Sequence, residues 1–235
     1  MRIVTRRQRA VTLVAALVTI VFVAATISSS AGAMGDTDTR ASADSTFLPH
    51  TARQAAFQDQ MRKLWEDHVT WTRLTIVGAV GGTNRKALPD IEETVQRLQA
   101  NQDDIGAATV PFFGEEAGKE LATLLHAHIS GAIELVLAAK AGDTDGVEAA
   151  KARWYANGQE IADFLAAANP QFWPQKTMRD AMLMHLDQTL NEAEHRLKGE
   201  YVMEIQAYEE AHLHILAMAD LLSSGLISEF PEKFV

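Results

Sequence analysis

Three histidines, His68, His128 and His185, recur at equivalent points of three helix–turn–helix segments. Each falls on an apolar stripe stepping by three and four residues, so each is expected inside a helical packing face. The second helix of each segment offers a polar partner at the same height. His128 lies 14 residues before Gly142 and Asn157 lies 15 after it. His185 lies 14 before Gly199, with His212 and His214 at 13 and 15 after it. His68 lies 13 before Gly81, and Asn101 lies 12 after Pro89. At a rise of about 1.5 Å per residue these positions stand roughly 20 Å from their turns, side by side. Asp104 and Glu160, three residues beyond the asparagines, add carboxylates one turn away, and Glu192 shares the face of His185. Imidazoles and carboxylates on neighbouring helices are how helical bundles hold iron, zinc or copper. His68, His128, His185, His212, Asp104 and Glu160 are therefore the candidate metal ligands, for copper, zinc or iron, with a small molecule as the other ligand class.

The same layer has a second reading. Buried imidazoles need hydrogen-bond partners in any protein, and a set of His–Asn pairs would fix helix register without binding anything. No His-Glu-x-x-His spacing is present. Convergence separates the readings, because ligand nitrogens must lie about 2 Å from one ion. Met178, Met182, Met184 and Met218 could add soft thioethers for copper(I), or serve as core filler. Trp65 and Trp71 bracket His68 and would help exclude water. Asp143-Thr-Asp145 has the Asp-x-Asp form of some sugar-nucleotide transferases, but at a helical turn these are cap and turn residues. No phosphate loop, Gly-x-Ser-x-Gly elbow or dinucleotide fingerprint occurs. No catalytic residue is assigned; binding or structural roles stand ahead of a metal-dependent or transferase enzyme.

Helical periodicity and breakers define the elements that must carry these groups. The fold class is all-α: a six-helix bundle of three related antiparallel hairpins, preceded by an N-terminal signal or anchor helix. Thr51 and Gln54 fit a capping box at the start of the first helix, which Gly81-Gly82 stops. Pro89-Asp90 opens the second, expected to end near Gly106 because Pro111 follows. The third runs from about Glu115 to Ala141. Gly142 and Asp143 lead into the fourth, which Asn169-Pro170 ends. The fifth begins at Trp173-Pro174, and Gly199 turns into the sixth, with an expected buried stripe of Tyr201, Ile205, Tyr208, His212, Ile215, Ala219 and Leu222. Internal similarity supports the hairpin plan. Arg97-Leu-Gln-Ala-Asn101-Gln-Asp-Asp104-Ile105 and Arg153-Trp-Tyr-Ala-Asn157-Gly-Gln-Glu160-Ile161 place Arg, Ala, Asn, an acid and Ile at identical spacing. Glu210 to Leu222 is a looser echo.

The totals set bounds. A chain of 235 residues supports one substantial core, and the absence of cysteine excludes disulfides and thiolate metal sites. Residues 1–33 hold four of the 21 basic residues and no acid, leaving 17 basic against 31 acidic groups, a net of about −14. That balance argues against nucleic acid and anionic membrane as partners. Arg2, Arg6, Arg7 and Arg9, the apolar run from Ala10 to Ile27 and Ala31-Gly-Ala33 read as a signal peptide or an uncleaved membrane anchor. Either reading puts the body outside the cytoplasm, secreted or anchored. Residues 34–50 read as a flexible tether and 51–235 as the bundle domain.

The segments Leu64-Trp-Glu-Asp-His68-Val-Thr-Trp-Thr-Arg73, Asn101-Gln-Asp-Asp104-Ile-Gly106 and Arg153-Trp-Tyr-Ala-Asn157 resemble an uncharacterised family of bacterial exported all-helical proteins. The resemblance spans roughly Leu64 to Phe234. Some members go under the name glycosyltransferase, a chemistry for which these residues carry no motif. The resemblance implies an exported helical domain, and no activity or site comes with it.

Overall fold

In the computed structural model residues 48–82 and 86–235 are described. The expected signal or anchor, residues 34–47 of the expected tether, and residues 83–85 lie outside the described residues. Six helices follow in order: α1 (Ala52–Val80), α2 (Ile91–Phe113), α3 (Glu115–Ala141), α4 (Thr144–Ala168), α5 (Gln175–Lys198) and α6 (Tyr201–Glu229). A 3-10 turn, Pro231–Phe234, ends the chain, and no strand occurs among the described residues.

The starts and stops have local causes. Thr51 accepts from the Gln54 amide at 3.1 Å, and the Gln54 side chain reaches back to the His50 amide at 2.7 Å. Asp143 caps α4 by accepting from Gly146 N at 3.0 Å. Gly142 and Gly199 close α3 and α5 at φ of +74° and +77°, a left-handed conformation that a side chain would strain.

One boundary departs from the sequence expectation. α2 runs through Pro111 to Phe113. Gly106 is no terminator: a Cβ there would stand 2.5 Å from the Gly118 carbonyl oxygen, so it permits α2 and α3 to touch. Proline at 111 costs a bond only in the last turn. Beyond it, Phe112 and Phe113 pack against Phe57, Phe230, Phe234 and Trp173, with ring centroids 5.4 to 6.0 Å apart. Those ring contacts favour carrying the helix past the proline.

Each helix packs on the next, and α6 returns to α1, closing a ring. α1, α3 and α5 also meet one another, which places these three innermost. α3 and α6 are long and apolar enough to cross a membrane by length and composition. Here their apolar faces supply core residues, among them Leu125, Ile129, Ile215 and Met218.

The register of α6 differs from the expected one. Its buried positions include Glu204, Ala207, Ala211, Ile215, Met218, Ala219 and Leu222, whereas Tyr201 and Ile205 are exposed. α6 is apolar nearly all round, so periodicity alone selects no face. Small alanines admit the close approach of neighbours, and ion pairing draws Glu204 inward.

Candidate functional site

Because α1, α3 and α5 are innermost, their seam histidines come together. His68, His128 and His185 are all buried. The rings of His68 and His185 have centroids 5.7 Å apart, and those of His128 and His185 6.0 Å. Trp65 lies edge-on to His68 at 5.6 Å and Trp154 stacks on His128 at 5.3 Å. Burial pushes the imidazoles toward the neutral form. His68 falls to about 3, with the nearby His128 adding to the effect. His128 falls to about 4, opposed by its bond to Asn157. His185 lies well below its ordinary value, from burial and then from His68, His128 and His214.

The second helix of each pair grips the first by one recurring bond. Asn101 Nδ2 donates to the Leu64 carbonyl at 3.0 Å and Asn157 Nδ2 to the Leu124 carbonyl at 3.1 Å. His214 Nε2–H donates to the Ala181 carbonyl at 2.8 Å. Each acceptor lies four residues before a seam histidine. The donor on α6 is thus His214, two residues from the candidate His212.

Beyond this shared clasp the three pairs diverge. His128 Nδ1–H donates to Asn157 Oδ1 at 3.1 Å, so its Nε2 keeps the lone pair. His68 is met by Gln102 instead of Asn101: Gln102 Nε2 lies 3.3 Å from His68 Nδ1. That amide nitrogen also donates to the Leu98 carbonyl at 2.8 Å and to Asn101 Oδ1 at 3.2 Å. Two hydrogens cannot fully serve three acceptors, and the His68 contact is the longest. His185 Nδ1 is buried without a hydrogen-bond partner.

Three candidate ligands fall outside this centre. Asp104 and Glu160 are exposed. They lie three residues past the clasp asparagines, and that step of about 300° turns them off the inward face. Asp104 instead stands 3.8 Å from Arg97. His212 stacks on Tyr208 and stands 3.4 Å from Glu66, away from His185, because α6 is rotated from the expected register. Met184 is exposed, whereas Met178, Met182 and Met218 are core. As the side chains stand, no three His, Asp or Glu among the described residues form a metal-binding group.

A small apolar cavity of about 40 Å³ lies one turn along the same axis. Thr72, Ala132 and Thr189, each four residues beyond a seam histidine, line it with Thr75, Leu98 and Trp154. Thr72 and Thr189 donate their hydroxyls to the carbonyls of His68 and His185 at 2.8 and 2.9 Å.

A second buried polar cluster joins α1, α5 and α6. Glu192 and Glu204 are each 1% exposed. Arg73 Nη1 stands 3.3 Å from Glu192 Oε1 and 2.5 Å from Glu204 Oε1, and Arg196 Nη1 stands 3.9 Å from Glu204 Oε2. The Arg73 guanidinium also lies 4.6 Å over the Tyr208 ring. Burial pushes the Glu192 carboxyl up to about 8, against the pull of Arg73 and with the push of Glu204. Glu192 was legible as lying on the His185 face; Arg73 and Glu204 bore no motif, and only the charge on an otherwise apolar stripe of α6 marked Glu204. Comparison with protein-family models, curated proteins and solved structures finds no match for this chain.

Proposed function

We propose that this protein is an extracytoplasmic binding protein whose bundle holds one transition-metal ion or small ligand between His68, His128 and His185. The observation that carries the reading is the contact of three buried imidazoles, with the His185 ring centroid 5.7 Å from that of His68 and 6.0 Å from that of His128. Neutral imidazole is the ligating form. With nitrogen–metal bonds of about 2.0 Å, three imidazoles on one ion bring all three centroids to about 5 Å from one another, so the rings must move to ligate one ion. The Asn157 contact supports it further, since a carbonyl acceptor on Nδ1 presents Nε2 to an ion. The six helices are read as three copies of one hairpin plan, a reading supported by the three clasps to Leu64, Leu124 and Ala181.

Those clasps also favour a second reading, in which the layer sets helix register and binds nothing. Elemental analysis of untagged protein, followed by titration with copper, zinc and iron, separates the two. One equivalent bound tighter than micromolar, lost in His185→Gln, supports the binding protein. No binding, with His68→Ala lowering stability alone, establishes the register layer.

A further inference from the structure

We propose that the cavity beside the histidine layer is a hydration site, whose ligand is one to about three water molecules held by Thr75 and Trp154. The first ground is the set of polar groups around it. Thr75 Oγ1 and Trp154 Nε1 are buried without a hydrogen-bond partner, and both residues line the cavity. An unpaired hydroxyl or indole N–H in the interior costs free energy that a bound water removes. Thr72 and Thr189, also in the lining, donate their hydroxyl hydrogens to the carbonyls of His68 and His185, and each oxygen keeps acceptor capacity. The lining therefore offers an indole donor, two hydroxyl acceptors and, in Thr75, a hydroxyl able to do either. A buried water makes about three hydrogen bonds, and this set supplies both kinds.

The second ground is size and charge. Roughly 10–15 Å³ is enough to admit one water, so a cavity of about 40 Å³ holds no more than about three. No charged side chain lines it, which disfavours an ion and selects a small neutral molecule that both donates and accepts. Three more buried atoms without partners, His185 Nδ1, Gln102 Oε1 and Trp65 Nε1, belong to the neighbouring histidine layer. Native interiors leave few such groups unpaired, so their concentration here marks a polar region inside an otherwise apolar core. The inference stands whether the histidines hold a metal ion or only set helix register.

The test is a water-selective rotating-frame NMR experiment on the full chain, read at the indole N–H signals. Cross-relaxation with a long-lived water is expected at Trp154, with the sign opposite to that of hydrogen exchange. The Trp173 indole, which donates to the Leu221 carbonyl at 3.3 Å, should show none. Thr75→Val keeps the shape of the side chain and removes its hydroxyl. With water bound, the thermal midpoint of this variant falls, because the water loses a partner. In a dry cavity it rises, because an unpaired buried hydroxyl has been removed. Xenon, which enters dry apolar cavities, should not bind at this site in the wild-type chain. Absence of the Trp154 water signal, a raised midpoint in Thr75→Val, or xenon uptake at this site each overturns the inference. The NMR and xenon measurements use the unaltered chain, so they decide the question even where the variant fails to fold.

Discussion

Histidines held neutral by burial bind fewer protons in the folded chain than in the unfolded one, and this makes stability a function of pH. Free imidazole titrates near pH 6.5, whereas His68 and His128 in the fold titrate at about 3 and about 4. Their contribution is full above pH 6.5 and is lost as pH falls through those folded values. Glu192 acts with the opposite sign. Its folded value of about 8 lies above the ordinary 4.5, so its contribution is full below 4.5 and is lost as pH rises through 8. Between pH 4.5 and 6.5 three histidines oppose one carboxyl, and metal-free protein should gain stability as pH rises. Above 6.5 the slope reverses, and Glu192→Gln should remove that reversal. Urea midpoints from pH 5 to 9 check both limbs; a midpoint still rising at pH 8 contradicts the Glu192 assignment. Truncation distinguishes the two α6 histidines. His214→Ala and Asn157→Ala each remove a part-buried clasp to a backbone carbonyl and should cost roughly 1–3 kcal/mol. His212→Ala loses a half-buried contact with Glu66 and should cost less than about 1 kcal/mol in the same assay.

At the level of the helices, function depends on how closely neighbours approach and which face turns inward. α2 and α3 cross where Gly106 faces Gly118, and a Cβ on Gly118 would lie 2.5 Å from Val110 Cγ2 and 2.8 Å from the Gly106 carbonyl. Gly118→Val should therefore force the helices apart and cost roughly 1–3 kcal/mol by thermal unfolding. Movement of α3 also carries His128, so the signals of its imidazole should shift in the same variant. The α5–α6 contact is governed by charge. Removing the Arg73 guanidinium by Arg73→Met leaves Glu204 short of its closest cation, and a loss of roughly 3–5 kcal/mol at pH 7 is expected. The rotation of α6 that buries Glu204 is the same one that brings His214 to the Ala181 carbonyl and leaves His212 at the rim.

Across the whole molecule, the ring of helices is closed by its two ends. α1 packs on α6, and Thr51 donates its hydroxyl to the Phe234 carbonyl at 2.9 Å. Phe234 is buried against Phe57 and Phe112. Phe234→Ala should cost about 3–5 kcal/mol, read as a lowered thermal midpoint, although it lies far from the histidines. Circular dichroism of the domain from Met34 onward should be dominated by helix; substantial sheet signal would contradict the fold.

The all-helical class, the six elements and the inward facing of His68, His128 and His185 on α1, α3 and α5 were determined by the sequence alone, because apolar residues at three- and four-residue steps report burial directly. Spacing from the turns also placed His128 opposite Asn157, since rise per residue is constant within a hairpin. The contact of His185 with both His68 and His128 was decided by tertiary structure, as only the packing of α1, α3 and α5 on one another brings residues from three hairpins together. The same holds for the choice of His214 over His212 and for the exposure of Asp104 and Glu160. On α6, apolar on nearly every side, rotation is set by what its neighbours offer: small-residue approach, the Arg73 charge and the Ala181 carbonyl. A sequence read one helix at a time contains none of those partners.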